Sequence, residues 1–316
     1  MQVISVVVRD TDISVTYGDP KNPSKSHILV ATPGFVKKAL EGREALISLK
    51  HLKMVIFDEA DELFNNKDTQ LTVESIINNH LKKKGIKPQY VLFSATVDET
   101  TLANIAVLLN DPIPKAFTCA KQVLKLKNVK QFRMKANEQA KRQFLIQFYT
   151  ELCQSQAMIF VNTKATANFL HDLLAKLQKE CHFLTNELKH YERDQVIDDF
   201  RRDKFPVLLS TNILARGIDV PAVDIVINYD IPMVSNFGYM EPDYANYLHR
   251  IGRTGRFMTD GLALTFTEDE KEECIMGKIQ NYWENEIIEI KSFAEFKKIF
   301  MEMRPFFFTE TDLDKL

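Results

Sequence analysis

The chain has 316 residues, with 41 Lys and Arg against 43 Asp and Glu for a formal charge of −2, and 45% of its residues are hydrophobic. That balance excludes a broad basic surface for nucleic acid and a disordered chain, so any RNA or DNA contact must be local. The length fits two domains of ordinary size, and no run of 18 apolar residues offers a membrane span. Cys119, Cys153, Cys181 and Cys274 lie far apart without a C-x-x-C pair, which predicts reduced core thiols of an intracellular protein.

Taken in chain order, short apolar runs alternate with stretches of helical spacing. The runs are "HILVA", "MVIFD" and "YVLFS", then "AMIFV", "PVLLS", "DIVINY" and "GLALTF", with a further strand in "NVKQFRM". Alternation of this kind predicts a parallel α/β architecture. The segment "TKATANFLHDLLAKLQ" sets Ala167, Phe169, Leu170, Leu173, Leu174 and Leu177 on one helical face, as in a helix covering a sheet. A second helix is expected to open at Thr267, where "TEDE" matches a capping box with Glu270 at N3. Phe293, Phe296, Phe300 and Met303 recur at helical spacing near the C-terminus, predicting a helix docked on the second domain.

The domain boundaries follow from turns and composition. Residues 1–118 form the expected first domain, 119–127 a linker, 128–295 the second domain and 296–316 a tail helix.

The strands end on polar groups: "MVIF" on "DEAD", "YVLF" on "SAT", "MIFV" on "NTK", "VLLS" on "TN" and "VINY" on Asp230. In parallel sheets ligands bind outside the carboxyl ends of the strands, so these groups stand where a site belongs. An Asp closing a buried strand and followed at once by Glu suits a Mg²⁺ ligand beside a nucleotide and an activator of water, which assigns metal binding to Asp58 and water activation to Glu59. The stretch "HRIGRTGRF" spaces Arg250, Arg253 and Arg256 every third residue with glycines between, a pattern that suits a phosphoryl clamp.

Six stretches in order resemble one family, the DEAD-box ATP-dependent RNA helicases. They are "ATPGFV" at 31–36, "VIFDEADELF" at 55–64, "LFSAT" at 92–96, "MIFVNTK" at 158–164, "LLSTNILARGIDV" at 208–220 and "YLHRIGRTGRF" at 247–257. The resemblance implies two RecA-like domains, parallel sheets flanked by helices, that close over ATP and a single RNA strand, with ATP and Mg²⁺ as cofactors. By position it makes Asp58 and Glu59 the metal-binding and water-activating pair, with Ser94 and Thr96 coupling hydrolysis to closure. Gly217 and Asp219 match the ATP ribose site, Arg253 and Arg256 the arginine fingers, and His249 the bridge toward the first domain. Thr32, Pro33, Gly34, Thr163 and Thr211 match RNA-backbone contacts, to single-stranded RNA or a short RNA duplex, which go to phosphate and sugar without sequence specificity.

Within the family, "STNILARGID" and the long loop "YDIPMVSNFGYMEPDYANYLHR" look most like helicases that remodel mRNA–protein particles at the nuclear pore. That likeness implies a part in mRNA export, regulators at the pore, and a cytoplasmic, nuclear or nuclear-envelope location. Asn212 stands where many members carry Asp, and Asn186 where a glycine is usual. No G-x-x-x-x-G-K-[ST] phosphate cradle occurs in the 316 residues. The expectation is therefore a first domain that is incomplete, and unstable or misassembled, in an N-terminally truncated chain: a fragment of a working helicase, a protein completed by another chain, or a catalytically inactive paralogue acting as an RNA- or regulator-binding module.

Overall fold

A computed structural model of the chain describes residues 4–6, 27–41, 46–94, 99–109, 126, 128–152, 156–185, 187–211, 223–236, 239–255 and 260–307. Two compact units divide the chain, Met1–Phe117 and Thr118–Leu316.

In the first unit, β1 (Ile4–Val6) pairs in parallel with β2 (Ile28–Val30). Helix α1 (Pro33–Glu41) follows at once, with Pro33 as its first residue; the fixed φ of proline suits that position and its missing N–H would have no helical partner there. Strand β3 (Met54–Phe57) leads into α2 (Ala60–Asn65) and α3 (Lys67–Ile76). The Asn66 side chain starts α3 by accepting from the Thr69 N–H at 3.1 Å. After a π-helical turn and a 3₁₀ turn the chain reverses at Gly85, φ 67°. Strand β4 (Gln89–Leu92) then pairs in parallel with β3, setting Phe57 opposite Leu92, before α4 (Glu99–Leu109). Phe57, Phe64, Val73, Ile77, Leu81 and Ile105 form the core beneath, with the Phe57 and Phe64 rings edge to face at 5.6 Å. The described strands of this unit make two separate two-stranded sheets.

The second unit is built on one parallel sheet. Its elements in order are β5 (Val129–Lys135), α5 (Glu138–Glu151), β6 (Ala157–Val161), α6 (Lys164–Lys176), β7 (Cys181–Leu184), α7 (His190–Arg201), β8 (Val207–Thr211), β9 (Ile225–Asn228), a hairpin of β10 (Met233–Asn236) and β11 (Tyr239–Pro242), α8 (Tyr244–Ile251), β12 (Gly261–Thr267), α9 (Glu270–Trp283), β13 (Ile287–Glu289) and α10 (Phe293–Phe307). The seven strands run β13-β5-β12-β9-β6-β8-β7. From β6 the chain moves outward to β7, returns to β8 and then crosses to β9, so the crevice between β6 and β9 is where its direction changes. Ligands of open α/β sheets bind at such a point.

Every residue of β6, β8, β9 and β12 is buried, which explains why these strands read as unbroken apolar runs rather than alternating ones. The face of α6 is as expected: Ala167, Leu170 and Leu174 are buried, and Phe169, Leu173 and Leu177 pack against the same core. Helix α10 starts at Phe293, and Phe293, Phe296 and Phe300 enter that core beside Phe144 and Phe148.

Three expectations are corrected. Thr267 does not open a helix: it is the fully buried last residue of β12, held opposite Lys135 by the strand ladder, and Asp269 caps α9 by accepting from the Lys271 and Glu272 N–H groups, each at 2.9 Å. Cys181 is a core thiol, pushed up to about 11 by burial, but Cys274 is exposed on α9 because its neighbours Ile275, Met276 and Ile279 take the inward stripe. The loop after Asp230 contains the antiparallel β10–β11 hairpin. Cys119, Cys153, Asn186 and Asn212 lie outside the described residues. No helix among the described residues is long and apolar enough to cross a membrane.

Candidate functional site

At the carboxyl end of β3 the chain turns sharply. Asp58 is exposed, with one carboxylate oxygen accepting from the Glu59 N–H at 3.0 Å. Glu59 takes a left-handed conformation, φ 49° and ψ 49°, at the start of α2. A residue with a Cβ pays about 1–2 kcal/mol for that conformation, and strain of this kind collects at functional turns.

What holds the turn is the neighbouring strand. The Phe93 N–H donates to Phe57 at 2.8 Å and the Ala60 N–H to Phe93 at 2.9 Å. Asp61, 3% exposed, and Ser94 bond reciprocally: the Ser94 hydroxyl donates to the Asp61 carboxylate at 2.7 Å, and the Asp61 N–H donates to the Ser94 oxygen at 3.3 Å. The acidic turn is thus tied to Ser94, just past the end of β4. Asp61 had no sequence-level role beyond its place in the tetrapeptide, and a polar residue on the inward side of a short helix was its only signal.

Elsewhere in the first unit, Thr32 precedes α1 and accepts from the Val36 N–H at 3.1 Å. Thr32 and Gly34 are exposed, and a Cβ on Gly34 would meet nothing within 4 Å. The first turn of α1 is thus open to solvent at Thr32 and Gly34.

In the second unit the β6–β9 crevice gathers a polar cluster. Asn162, just past β6, donates its N–H to Asp230 at 2.7 Å and its side-chain amide to the Ile231 carbonyl at 2.9 Å. Arg250 on α8 is fully buried. It donates to the Asp230 carbonyl at 2.7 Å and to the side-chain oxygens of Asn228 and Asn162, each at 3.1 Å, over the Phe160 ring at 5.1 Å. Burial pulls its guanidinium down to about 9, against the pull of Asp230 and Asp243. It still carries its charge at neutral pH. Burial also raises the Asp230 carboxyl above its ordinary range, opposed by the Asn162 N–H, Lys141 and Arg250.

Arg250 is thereby removed from the clamp that its spacing suggested, because its guanidinium is spent on internal acceptors. Its signal was visible only as a basic residue one turn after the buried Tyr247 and next to the buried Ile251 on α8. Arg253 lies in the following turn, 7% exposed, and its carbonyl accepts from the Val223 N–H at 3.0 Å. Gly255, φ 68°, closes the turn so tightly that a Cβ would stand 2.6 Å from Val129 and 2.9 Å from the Asn128 carbonyl. His249 is half-buried on α8.

Thr163 caps α6, accepting from the Thr166 N–H at 3.1 Å. Thr211 ends β8 opposite Val161, so the two threonines stand at the ends of adjacent strands. Thr96, Gly217, Asp219 and Arg256 lie outside the described residues.

Among the described residues no group of three or more His, Cys, Asp or Glu side chains could hold a metal ion. Asp58 by itself fits Mg²⁺, a hard cation that keeps several waters and takes one or two carboxylates together with substrate phosphates.

Comparison with known proteins gives matches over both units. Residues 3–105 match the family described as DEAD/DEAH box helicase, and residues 140–258 match the helicase conserved C-terminal domain. The chain is 36% identical over 264 residues to the ATP-dependent RNA helicase DBP5 of Candida glabrata, covering 82% of this chain and 50% of that protein. It spans about half the length of the curated relatives it matches. A solved structure of S. cerevisiae Dbp5 bound to RNA and ADP BeF3 is similar with a TM-score of 0.79 and 30% identity, over 97% of this chain and 74% of that one. A variant of the same protein bound to Nup159, a Gle1 variant, IP6 and ADP gives a TM-score of 0.59 at 30% identity, over 96% and 75%.

Proposed function

Since this chain, with its parallel sheets flanked by helices, belongs to the DEAD/DEAH box helicase family, we propose that it is an ATP-dependent RNA helicase that remodels RNA or RNA–protein complexes in mRNA export. The observation that carries the proposal is the Asp61–Ser94 pair, which ties the strained Asp58-Glu59 turn to the first residue of the "SAT" motif. A turn that reports the state of its neighbour is what an ATPase coupled to domain closure requires.

In this reading Asp58 holds Mg²⁺, which when bound neutralises charge on the nucleotide phosphates. Glu59 orients and deprotonates the attacking water, and its left-handed backbone sets where its carboxylate starts. Arg253 and Arg256 neutralise the transferring phosphoryl group, Gly217 and Asp219 take the ribose of ATP, and His249 and Thr96 serve coupling with Ser94. Thr32, Pro33 and Gly34 in the first unit, and Thr163 and Thr211 in the second, hold the RNA backbone. The exposed start of α1 and the adjacent strand-end threonines support those contacts. Residues 1–118 and 128–295 act as the two RecA-like domains, and 296–316 as a tail continuous with the second.

The relatives' complexes with Gle1 and Nup159 support regulators of the same kind for this chain, acting at the nuclear pore or in the cytoplasm. The test is RNA-stimulated ATP hydrolysis by the 316-residue chain. Turnover that rises with single-stranded RNA and is lost in Glu59→Gln supports the proposal. Turnover no higher than that of Glu59→Gln overturns it for this chain.

A second reading, an RNA-binding module without turnover, is favoured by the placement of Thr163, two residues past β6, and Thr211, at the end of the neighbouring β8, in the seven-stranded sheet of the second unit. RNA binding without nucleotide that falls in Thr163→Ala and Thr211→Val, together with no hydrolysis, would select it.

A further inference from the structure

Lys141 is the one lysine on the apolar stripe that α5 turns inward with Phe144, Leu145 and Phe148, and it is 2% exposed. A buried ammonium is costly unless paired. Its nitrogen lies 4.0 Å from the Glu138 carboxylate, 3.8 Å from that of Glu268 and 5.2 Å from the centre of the Tyr229 ring. Tyr229 donates its hydroxyl to Glu138 at 3.0 Å, and the next residue along the chain is Asp230.

Asp230 is the hub of the crevice. Glu138 and Lys141 on α5, Arg250 on α8 and Glu272 on α9 all act on it electrostatically. Each polar group of Asn162 that faces this hub is spoken for: its N–H by Asp230, its amide nitrogen by Ile231 and its amide oxygen by Arg250. Thr163 follows Asn162 directly, and Arg253 follows Arg250 by three residues with its N–H bonded to the Arg250 carbonyl at 3.1 Å. Two turns that carry function in the proposed reading hang from one buried ionic core.

We propose that Lys141 is a positioning residue for RNA binding, acting through Asp230 and Arg250 to fix the Asn162-Thr163 turn in the orientation that meets the RNA backbone. The inference rests on the reading that Thr163 contacts RNA. Without the ammonium, Asp230 keeps Arg250 but loses one of the two cations that act on it most, against Glu138 and Glu272, and its carboxylate loses part of what keeps it ionised. A protonated Asp230 holds the Asn162 N–H more weakly than a carboxylate does, so the turn loosens.

The experiment follows the Asn162 amide by ¹⁵N NMR through a pH titration and measures single-stranded RNA affinity, in the full chain and in Lys141→Met and Lys141→Arg. In Lys141→Met the Asn162 titration midpoint moves to higher pH and RNA affinity falls roughly tenfold, as losses of supporting partners do at other sites; Lys141→Arg restores both. A purely structural lysine would leave the Asn162 midpoint where it is, and that result overturns the proposal. So does wild-type RNA affinity alongside a shifted midpoint. If Lys141→Met does not fold, Asp230→Asn replaces it: a comparable loss of RNA affinity supports the proposal, and unchanged affinity overturns it. If the unmodified chain binds no RNA, the reading of Thr163 fails, and the inference for RNA binding falls with it; the Asn162 midpoint then shows separately whether Lys141 governs Asp230.

Discussion

Ser94 and Asp61 exchange hydrogen bonds across 33 residues of sequence, the hydroxyl giving to the carboxylate at 2.7 Å and the backbone N–H returning one at 3.3 Å. The link joins the end of β4 to the first turn of α2. Removing the hydroxyl leaves a buried carboxylate short of a donor, a loss of about 1.5–3 kcal/mol for a bond to a charged group. Ser94→Ala should therefore speed hydrogen exchange of the α2 amides, Asp61 first, and leave the second unit unchanged. Unaltered exchange in α2 would show that the pair does not hold the turn.

Glu59 is strained whatever its chemistry. Glycine adopts φ near 49° without the Cβ penalty, so Glu59→Gly should leave the first unit as stable as before or up to about 1 kcal/mol more stable, while removing the proposed water activator. Urea denaturation read by hydrogen exchange gives the stability, and the ATPase assay gives the function. A loss of more than about 1 kcal/mol would mean that the side chain supports the turn rather than bearing strain for function.

Asp230 makes stability depend on pH in an unusual direction. Its carboxyl is raised in the folded state, first by burial, so its contribution is full below the unfolded value and is lost as pH rises through the folded one. The difference in unfolding free energy between the wild type and Asp230→Asn should fall as pH rises through the weakly acidic range, because asparagine keeps an acceptor for the Asn162 N–H and has no proton to lose. A difference that stays flat, or grows, contradicts the assignment.

Gly255 closes the turn behind Arg253 with φ 68°, and an added Cβ would press on Val129 and the Asn128 carbonyl. Backbone cannot retreat as a flexible side chain can, so Gly255→Ala should cost about 3 kcal/mol, combining left-handed strain and overpacking. The chain has one tryptophan, and Trp283 is buried in the second unit, so its fluorescence in urea reports this loss directly. An unchanged midpoint would show that the turn is free to open.

The order of strands and helices was legible in the sequence because a buried parallel strand announces itself as an apolar run, and a covering helix by its period. The family was legible too, since "DEAD", "SAT", "ARGID" and "HRIGRTGR" are local strings in a fixed order. Helix α10 could be anticipated from three phenylalanines, whereas the β10–β11 hairpin could not, its exposed Val234, Tyr239 and Met240 giving no alternation.

Tertiary structure alone decided which polar residues of those strings face outward and which are consumed inside. Arg250 and Arg253 share one spacing and one residue type, yet Arg250 is committed to Asn162, 88 residues earlier, and to Asn228 and Asp230. Lys141 lies on a helix that pattern alone would call core, and its partners Glu268 and Tyr229 come from other strand ends. Periodicity records the neighbours one or two turns away along the chain. Burial of a charge depends on partners brought together by the sheet order β13-β5-β12-β9-β6-β8-β7, and no local string carries that order.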